Sequence, residues 1–107
     1  MQYLTEFLLK LLKVKIMHVD WDQEKAAANI IKHRGVTFEE AASIFLDPLE
    51  YTFHDPDHSI DELRYLTIGV SDRGRLLIVS YTERHKTIRI ISARRVVRAE
   101  RKIYEEL

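Results

Sequence analysis

Cysteine is absent from the 107 residues of this chain, which excludes disulfides and zinc sites built on thiolates. A reducing cytoplasm is therefore the expected compartment. No apolar run is long enough to cross a bilayer, and the opening stretch MQYLTEFLLKLLK has charges and no small-residue cleavage site, unlike a secretory signal. The motifs G-x-S-x-G, H-E-x-x-H and C-x-x-C are also missing, as is a glycine-rich phosphate loop.

The chain also has no formal net charge, because 17 Lys and Arg balance 17 Asp and Glu. The charges are nevertheless segregated: residues 47–62 hold six carboxylates and no Lys or Arg, whereas residues 84–102 hold eight Lys or Arg and one carboxylate. A local basic region attracts polyanions whatever the total charge is. Pairing of the two regions, or simple solvation of both, accounts for the same pattern equally well.

The order of the predicted elements indicates a single α+β domain over residues 1–107. A short amphipathic helix is expected in residues 1–13, and Val14–Trp21 has strand composition. Met17 is a plausible start, so residues 1–16 are interpreted as an N-terminal extension and 17–107 as the domain. Two helices follow, the first between Asp22 and Gly35, the second begun by a capping-box pattern at residues 37–40.

The second half of the chain is rich in strands. Residues 63–70, 75–82 and 87–93 are separated by short polar connections, which predicts a small antiparallel β-meander. Residues 51–53 are a candidate for one extra short strand. A last helix is expected to begin near Arg94. The predicted order is β-α-α-β-β-β-α, with two N-terminal helices and a C-terminal helix packed on the meander.

Two helix faces carry charge in this prediction. On the first helix, Lys25, Asn29 and Lys32 share one face, and Ala26, Ala27, Ile30 and Ile31 supply the buried side. The last helix has an apolar side and a basic side, the latter with five cations: Arg94, Arg95, Arg98, Arg101 and Lys102. Arginine forks match phosphate geometry, and an anion is favoured at the positive end of a helix. A merely solvated amphipathic helix is the competing interpretation.

Three separated blocks, WDQEKAAANIIKHRGVTFEEAASIFLDP, ELRYLTIG and IRIISARRVVRAERKIYEE, resemble the BrnT family of toxins from toxin-antitoxin systems. The resemblance covers about Val19 to Glu106. One departure is Lys32-His33-Arg34-Gly35, which is one residue longer than the compact KHG of the family and can alter the end of the first helix.

This resemblance implies a RelE-like ribonuclease fold and RNA cleavage that arrests translation. It also implies a cognate BrnA-like antitoxin with a ribbon-helix-helix part, which neutralises the toxin and brings the complex to operator DNA. No cofactor, no metal and no membrane partner is expected. The alternative from another class is a RelE-like module that binds antitoxin or nucleic acid without cleaving, because no clear proton-transfer pair is visible.

The candidate catalytic residues follow from the chemistry of metal-free RNA cleavage, which needs proton transfer and cations around the phosphate. Arg64, Arg94 and Arg98 match arginines of the family pattern, His33 titrates near neutrality, and Glu83 is a possible base. The candidate RNA-binding residues are Lys25, Asn29, Lys32, Arg95, Arg101 and Lys102. For several of these residues, a solvated position on the surface, without a functional role, explains their presence equally well.

A competing motif is HDPDH at residues 54–58, which offers two imidazoles and two carboxylates. Such a set can bind a divalent metal, and a metal-dependent hydrolase is the function it would support. The proline breaks regular ligand spacing, however, and His and Asp are common in turns for conformational reasons.

Overall fold

The computed structural model describes residues 18–55, 57 and 62–106. The predicted helix in residues 1–13, the start of the first predicted strand (14–17) and part of the histidine loop lie outside them. The elements are β1 (His18–Trp21), α1 (Gln23–Lys32), α2 (Phe38–Ser43) with a 3₁₀ turn (Ile44–Leu46), β2 (Tyr51–His54), β3 (Arg64–Val70), β4 (Leu76–Arg84), β5 (Thr87–Arg95) and α3 (Arg98–Glu105). No helix in this described part is long and apolar enough to cross a membrane.

Five strands form one sheet in the order β1-β5-β4-β3-β2. Strands β2 to β5 are consecutive antiparallel neighbours, which confirms the predicted meander and its extra short strand. Strand β1 pairs in parallel with the first half of β5, where Trp21 lies opposite Ile90. Because β1 ends there, the backbone of β5 beyond Ile90 has no strand among the described residues on that side.

Helices cover both faces of the sheet. One face packs against α1 and α2, and its core includes Phe38, Ala41 and Ile44 together with the central strands. Trp21 lies against this core with its ring edge-on to Phe38. On the other face, Val96 and Tyr104 pack on a smaller cluster formed by Ile68, Leu76 and Ile78. Strand β4 is therefore apolar on both faces, as its LLIV run predicts.

Side-chain caps begin the first two helices where the sequence places them. Asp22 Oδ1 accepts the backbone N–H groups of Glu24 and Lys25 at 2.9 and 3.0 Å. Thr37 Oγ1 accepts the backbone N–H of Glu40 at 3.0 Å. These bonds satisfy amides that have no partner within the helix. The carboxylate of Glu40 points into the protein instead of completing a capping box.

The buried carboxylate of Glu40 joins α2 to the β3–β4 turn. Glu40 is 4% exposed. Its Oε2 accepts hydrogen bonds from Ser71 Oγ at 2.7 Å and from Arg75 Nε at 2.8 Å. Arg75 Nη2 donates to the other oxygen. The hydrogen bonds from Arg75, and then from Ser71, hold the pKa of Glu40 below its usual value although burial opposes them. This network fixes the turn against the helix.

Asn29 on α1 takes the place of the strand that β5 lacks. Its Oδ1 accepts Ala93 N–H at 3.1 Å and its Nδ2 donates to Ala93 O at 2.8 Å, so the amide forms the two bonds that a neighbouring strand would form. Nδ2 also donates to Val36 O at 3.0 Å. Asn29 is buried, and its amide makes three hydrogen bonds within the protein, which supports a structural role; its predicted contact with phosphate stays a prediction.

The predicted apolar face of α1 is partly wrong. Ala26 is buried as expected, but Ile30 is 42% and Ile31 84% exposed, and Ala27 is exposed as well. The helix lies along the open edge of β5, where unpaired backbone groups require a polar partner. Because this edge needs a polar partner, Asn29 faces the protein and the two isoleucines face solvent, although apolar side chains are usually the buried ones.

Replacement of Glu40 by Gln should destabilise the fold by about 3 kcal/mol at pH 7, because it leaves a largely buried guanidinium without its carboxylate. The folded-state pKa of Glu40 is lowered, so its contribution is complete above the unfolded value of about 4.3 and disappears as the pH falls through the lower folded value. Urea unfolding at pH 7 and at acid pH measures both effects.

The matched control for that change is Glu39→Gln, at the exposed neighbour on the same helix. Its stability at pH 7 should stay within about 0.5 kcal/mol of the parent protein. Equal losses in the two variants would show that the buried network contributes nothing specific.

Candidate functional site

A basic groove of about 320 Å³ lies where the end of α1 meets the end of β5. Six residues line it: Lys32, His33, Arg34, Arg94, Arg95 and Val97. Four of them carry a positive charge and none is acidic, so the local field favours an anion. The groove brings together four of the residues predicted from the sequence, two from α1 and its end and two from the end of β5.

His33 caps the C-terminal end of α1 and lines this groove. Its backbone N–H donates to the backbone carbonyl of Asn29 at 2.8 Å, so His33 directly follows the helical turn whose Asn29 side chain bonds to β5. Partial burial, and then the charges of Lys32 and Arg94, lower the pKa of His33. This lowering favours the neutral imidazole, which is the form that can accept a proton.

The turn after α1 carries a residue that the sequence reading did not propose as functional. Arg34 has a φ of 52° and Gly35 a φ of 88°, and Gly35 N donates to Ile30 O at 2.8 Å. A left-handed conformation suits Gly35 but is uncommon for arginine. Arg34 therefore adds one more cation to the groove, and the added residue that the family resemblance implies in Lys32-His33-Arg34-Gly35 was the available signal.

Arg94 lies on β5, not on the last helix. The strand continues to Arg95, and α3 begins only at Arg98, so the prediction of a helix from Arg94 is wrong. The reason is that β5 stays paired with β4, with Arg94 opposite Ile78 and Arg95 opposite Leu77. The five predicted cations therefore divide into two on the strand and three on the helix.

A carboxylate from α3 holds Arg94. Glu100 Oε1 and Oε2 accept Nη1 and Nη2 of Arg94, both at 2.8 Å, and Oε1 also accepts Val97 N–H at 2.8 Å. The hydrogen bond from Arg94 is the main cause of a lowered pKa for Glu100. Sequence reasoning missed Glu100, since it was the single carboxylate in a basic stretch and its partner was assigned to the wrong element.

The cations of α3 are exposed along its outer side. Arg98 is the first residue of the helix and follows the groove residue Val97, while Arg101 pairs with Glu105 at 3.6 Å and Lys102 lies beside it in sequence. Lys25 is also exposed, but it lies seven residues before Lys32, or about 10 Å along α1. These residues can contact a long polyanion, though they do not line the groove.

Arg64 and Glu83 lie toward the opposite end of the sheet. Arg64 pairs with Thr82, and Glu83 follows Thr82 on β4, whereas Arg94 pairs with Ile78. The separation along β4 is four to five residues, or about 13 to 17 Å. The register therefore does not bring these two residues into the lining of the groove that holds His33 and Arg94. What each does singly stays a prediction.

The histidine loop enters the described part of the chain only through residues 54, 55 and 57. Within residues 18–55, 57 and 62–106, no three His, Asp or Glu side chains are grouped as metal ligands. The metal hypothesis for HDPDH therefore stays a prediction, since the loop also includes residues outside this part.

Comparisons with known proteins show which family model and which solved fold the chain resembles. Residues 21–100 match a family model described as the ribonuclease toxin BrnT of type II toxin-antitoxin systems. The fold is similar to a 1.1 Å crystal structure of the Brucella abortus ribonuclease toxin BrnT, with a TM-score of 0.51 and 23% identity over 77% of this chain and 99% of that one. No curated protein matches the chain. Every residue of the groove lies within 21–100.

Replacement of Arg94 by Ala should lower stability by about 1–2 kcal/mol, because it leaves the partly buried Glu100 without its cation and loosens the start of α3. Arg98→Ala is the matched control on an exposed arginine and should change stability by no more than about 0.5 kcal/mol. Urea denaturation of the three proteins tests this. Identical unfolding curves would mean that the ion pair does not hold α3.

Proposed function

This chain belongs to the BrnT family of ribonuclease toxins of type II toxin-antitoxin systems, and we propose that it is a metal-independent endoribonuclease whose active site is the basic groove. The observation that supports this assignment is that His33 lines the same groove as Arg94 and Arg95. Such a site combines a proton acceptor with charges suited to a phosphodiester.

The proposed reaction is transesterification. His33 takes the proton of a ribose 2′-OH, and the oxygen forms a bond to the adjacent phosphorus while the bond to the 5′-oxygen breaks. The products are a 2′,3′-cyclic phosphate and a 5′-hydroxyl, the second after the leaving oxygen gains a proton. Cations in the groove offset the charge that develops on the phosphoryl oxygens, which is the largest contribution in many such reactions.

RNA is also expected to contact cations that lie outside the groove. Arg98, Arg101, Lys102 and Lys25 lie outside the groove, and we assign them contacts with neighbouring phosphates. Each such contact releases counterions, so binding should weaken steeply as salt rises. Cleavage of RNA by this chain would arrest translation, and the cytoplasm is the proposed compartment.

The family implies an antitoxin partner. We propose a ribbon-helix-helix protein that covers the exposed cations of α3 and the mouth of the groove. Acidic or helical segments suit this surface, because the side chains of Arg98 and Lys102 are exposed and form no ion pair with the described residues. Operator DNA would then be bound through the antitoxin.

Cleavage of a defined RNA should fall about 100-fold in Arg94→Ala, as for loss of one positioned donor at a transition state. Arg94→Lys should recover only part of the rate, since lysine keeps the charge but loses the fork. Arg98→Ala should also lower the rate, through weaker binding. The matched control is Arg84→Ala, an exposed arginine six residues beyond Ile78 on β4, which should cleave normally.

The same assay separates the competing functions. A substrate with 2′-deoxyribose at the cleaved position should remain intact, and EDTA should leave the rate unchanged. Loss of activity in EDTA would contradict metal independence. Full cleavage by Arg94→Ala and Arg98→Ala would show that the groove is not the active site. No cleavage by the parent protein, with tight binding of RNA, would favour the non-catalytic module. Its supporting observation is that, among the described residues, the groove lining holds no carboxylate or second histidine beside His33.

Antitoxin and RNA should compete for the toxin. A 2′-deoxy analogue of the substrate, which binds but is not cut, should dissociate as the cognate antitoxin is added, and fluorescence anisotropy measures its release. Higher salt should weaken the RNA analogue strongly because its contacts are ionic. Simultaneous, independent binding of both ligands would rule out neutralisation by cover of the basic surface.

A further inference from the structure

We propose that Glu100 is a positioning residue of the active site, which holds the guanidinium of Arg94 so that one donor edge is presented to the scissile phosphate. This inference rests on the proposed function of the groove and adds to it a residue on α3. Glu100 does not line the groove, so it acts through Arg94 and not on the substrate.

The carboxylate of Glu100 is itself fixed in place. Its Oε1 accepts Val97 N–H, the backbone amide that precedes α3, in addition to Nη1 of Arg94. The side chain of Glu100 is 19% exposed, against 39% for Arg94. A rigid backbone therefore holds the carboxylate, and the carboxylate holds the more exposed guanidinium.

The hydrogen bonds of the Arg94 guanidinium show which of its edges remains available to a substrate. A guanidinium has five N–H donors. Nη1 donates to Glu100 Oε1 and to Arg95 O, and Nη2 donates once, to Glu100 Oε2. The Nε–H and the second Nη2–H have no acceptor among the described residues. These two donors are parallel, and their spacing matches two oxygens of a phosphate.

The charge of Glu100 does not oppose phosphate binding at this site. One guanidinium and the positive end of α3 neutralise it, because the carboxylate lies in the first turn of the helix. Removal of the carboxylate would leave Arg94 free to rotate, and its donors would have to be ordered during the reaction. That cost falls on the transition state, where the phosphoryl oxygens carry the most charge.

The experiment is a double-mutant cycle on cleavage of a defined RNA by the full chain. The four proteins are the parent, Arg94→Ala, Glu100→Gln and the double variant. Glutamine keeps the shape of the side chain but turns an N–H₂ group against the donors of Arg94. The matched control is Glu106→Gln, at an exposed carboxylate just after the same helix. Rates are measured well below the melting temperature of the least stable protein.

Glu100→Gln should lower kcat about tenfold, a loss typical of residues that orient a functional group, with a smaller change in KM. In the Arg94→Ala background the same change should lower kcat by no more than about twofold, since residues that act as one unit are not additive. Glu106→Gln should cleave like the parent. A merely structural role for Glu100 would lower the melting temperature without this pattern of rates.

The outcomes distinguish the two proposals. Normal kcat in Glu100→Gln, together with a strong loss in Arg94→Ala, overturns the positioning role alone. A full tenfold loss that persists in the Arg94→Ala background also overturns it, because Glu100 would then act independently. Normal cleavage by Arg94→Ala overturns the assignment of the groove itself.

Discussion

The hydrogen bonds between the Asn29 amide and the backbone of Ala93 are the contact on which the functional end of this protein depends. Strand β1 pairs with β5 only as far as Ile90, so the edge of β5 continues without a strand partner. An unpaired buried backbone group is costly. Asn29 removes that cost with a side chain that donates and accepts in the manner of a neighbouring strand.

The same contact determines what lies at the groove. It fixes the last turn of α1 against the last residues of β5, and so His33 lies next to Arg94 and Arg95. A second fixed point comes from α3, where Glu100 links Arg94 to the backbone of Val97. A helix end, a strand end and a helix start thus converge, and they bring together His33, Arg94 and Glu100, the groups to which the proposed reaction assigns roles.

Local signals in the sequence were sufficient for most of the fold. The caps at Asp22 and Thr37 depend on residues two or three positions away, and strand composition with short turns identified the meander. Contacts distant in sequence were not accessible in this way. Periodicity placed Ile30 and Ile31 inside, because it contains no information on the unpaired edge that draws Asn29 inward. Val97 offers no side-chain cap, so nothing marked the start of α3 and Arg94 was assigned to it. The strand register, which separates Arg64 and Glu83 from the groove, depends on pairing between distant segments and cannot be read from a short motif.

The most direct test of this account is an NMR titration of the histidines with and without the 2′-deoxy RNA analogue. A phosphodiester bound in the groove should raise the pKa of His33, because the anion favours the protonated imidazole. The imidazole resonances of His18, His54 and His85, which lie outside the groove, should keep their chemical shifts when the analogue is added and serve as internal references. An unchanged pKa for His33 at saturating analogue would contradict the central claim that RNA phosphate binds beside it.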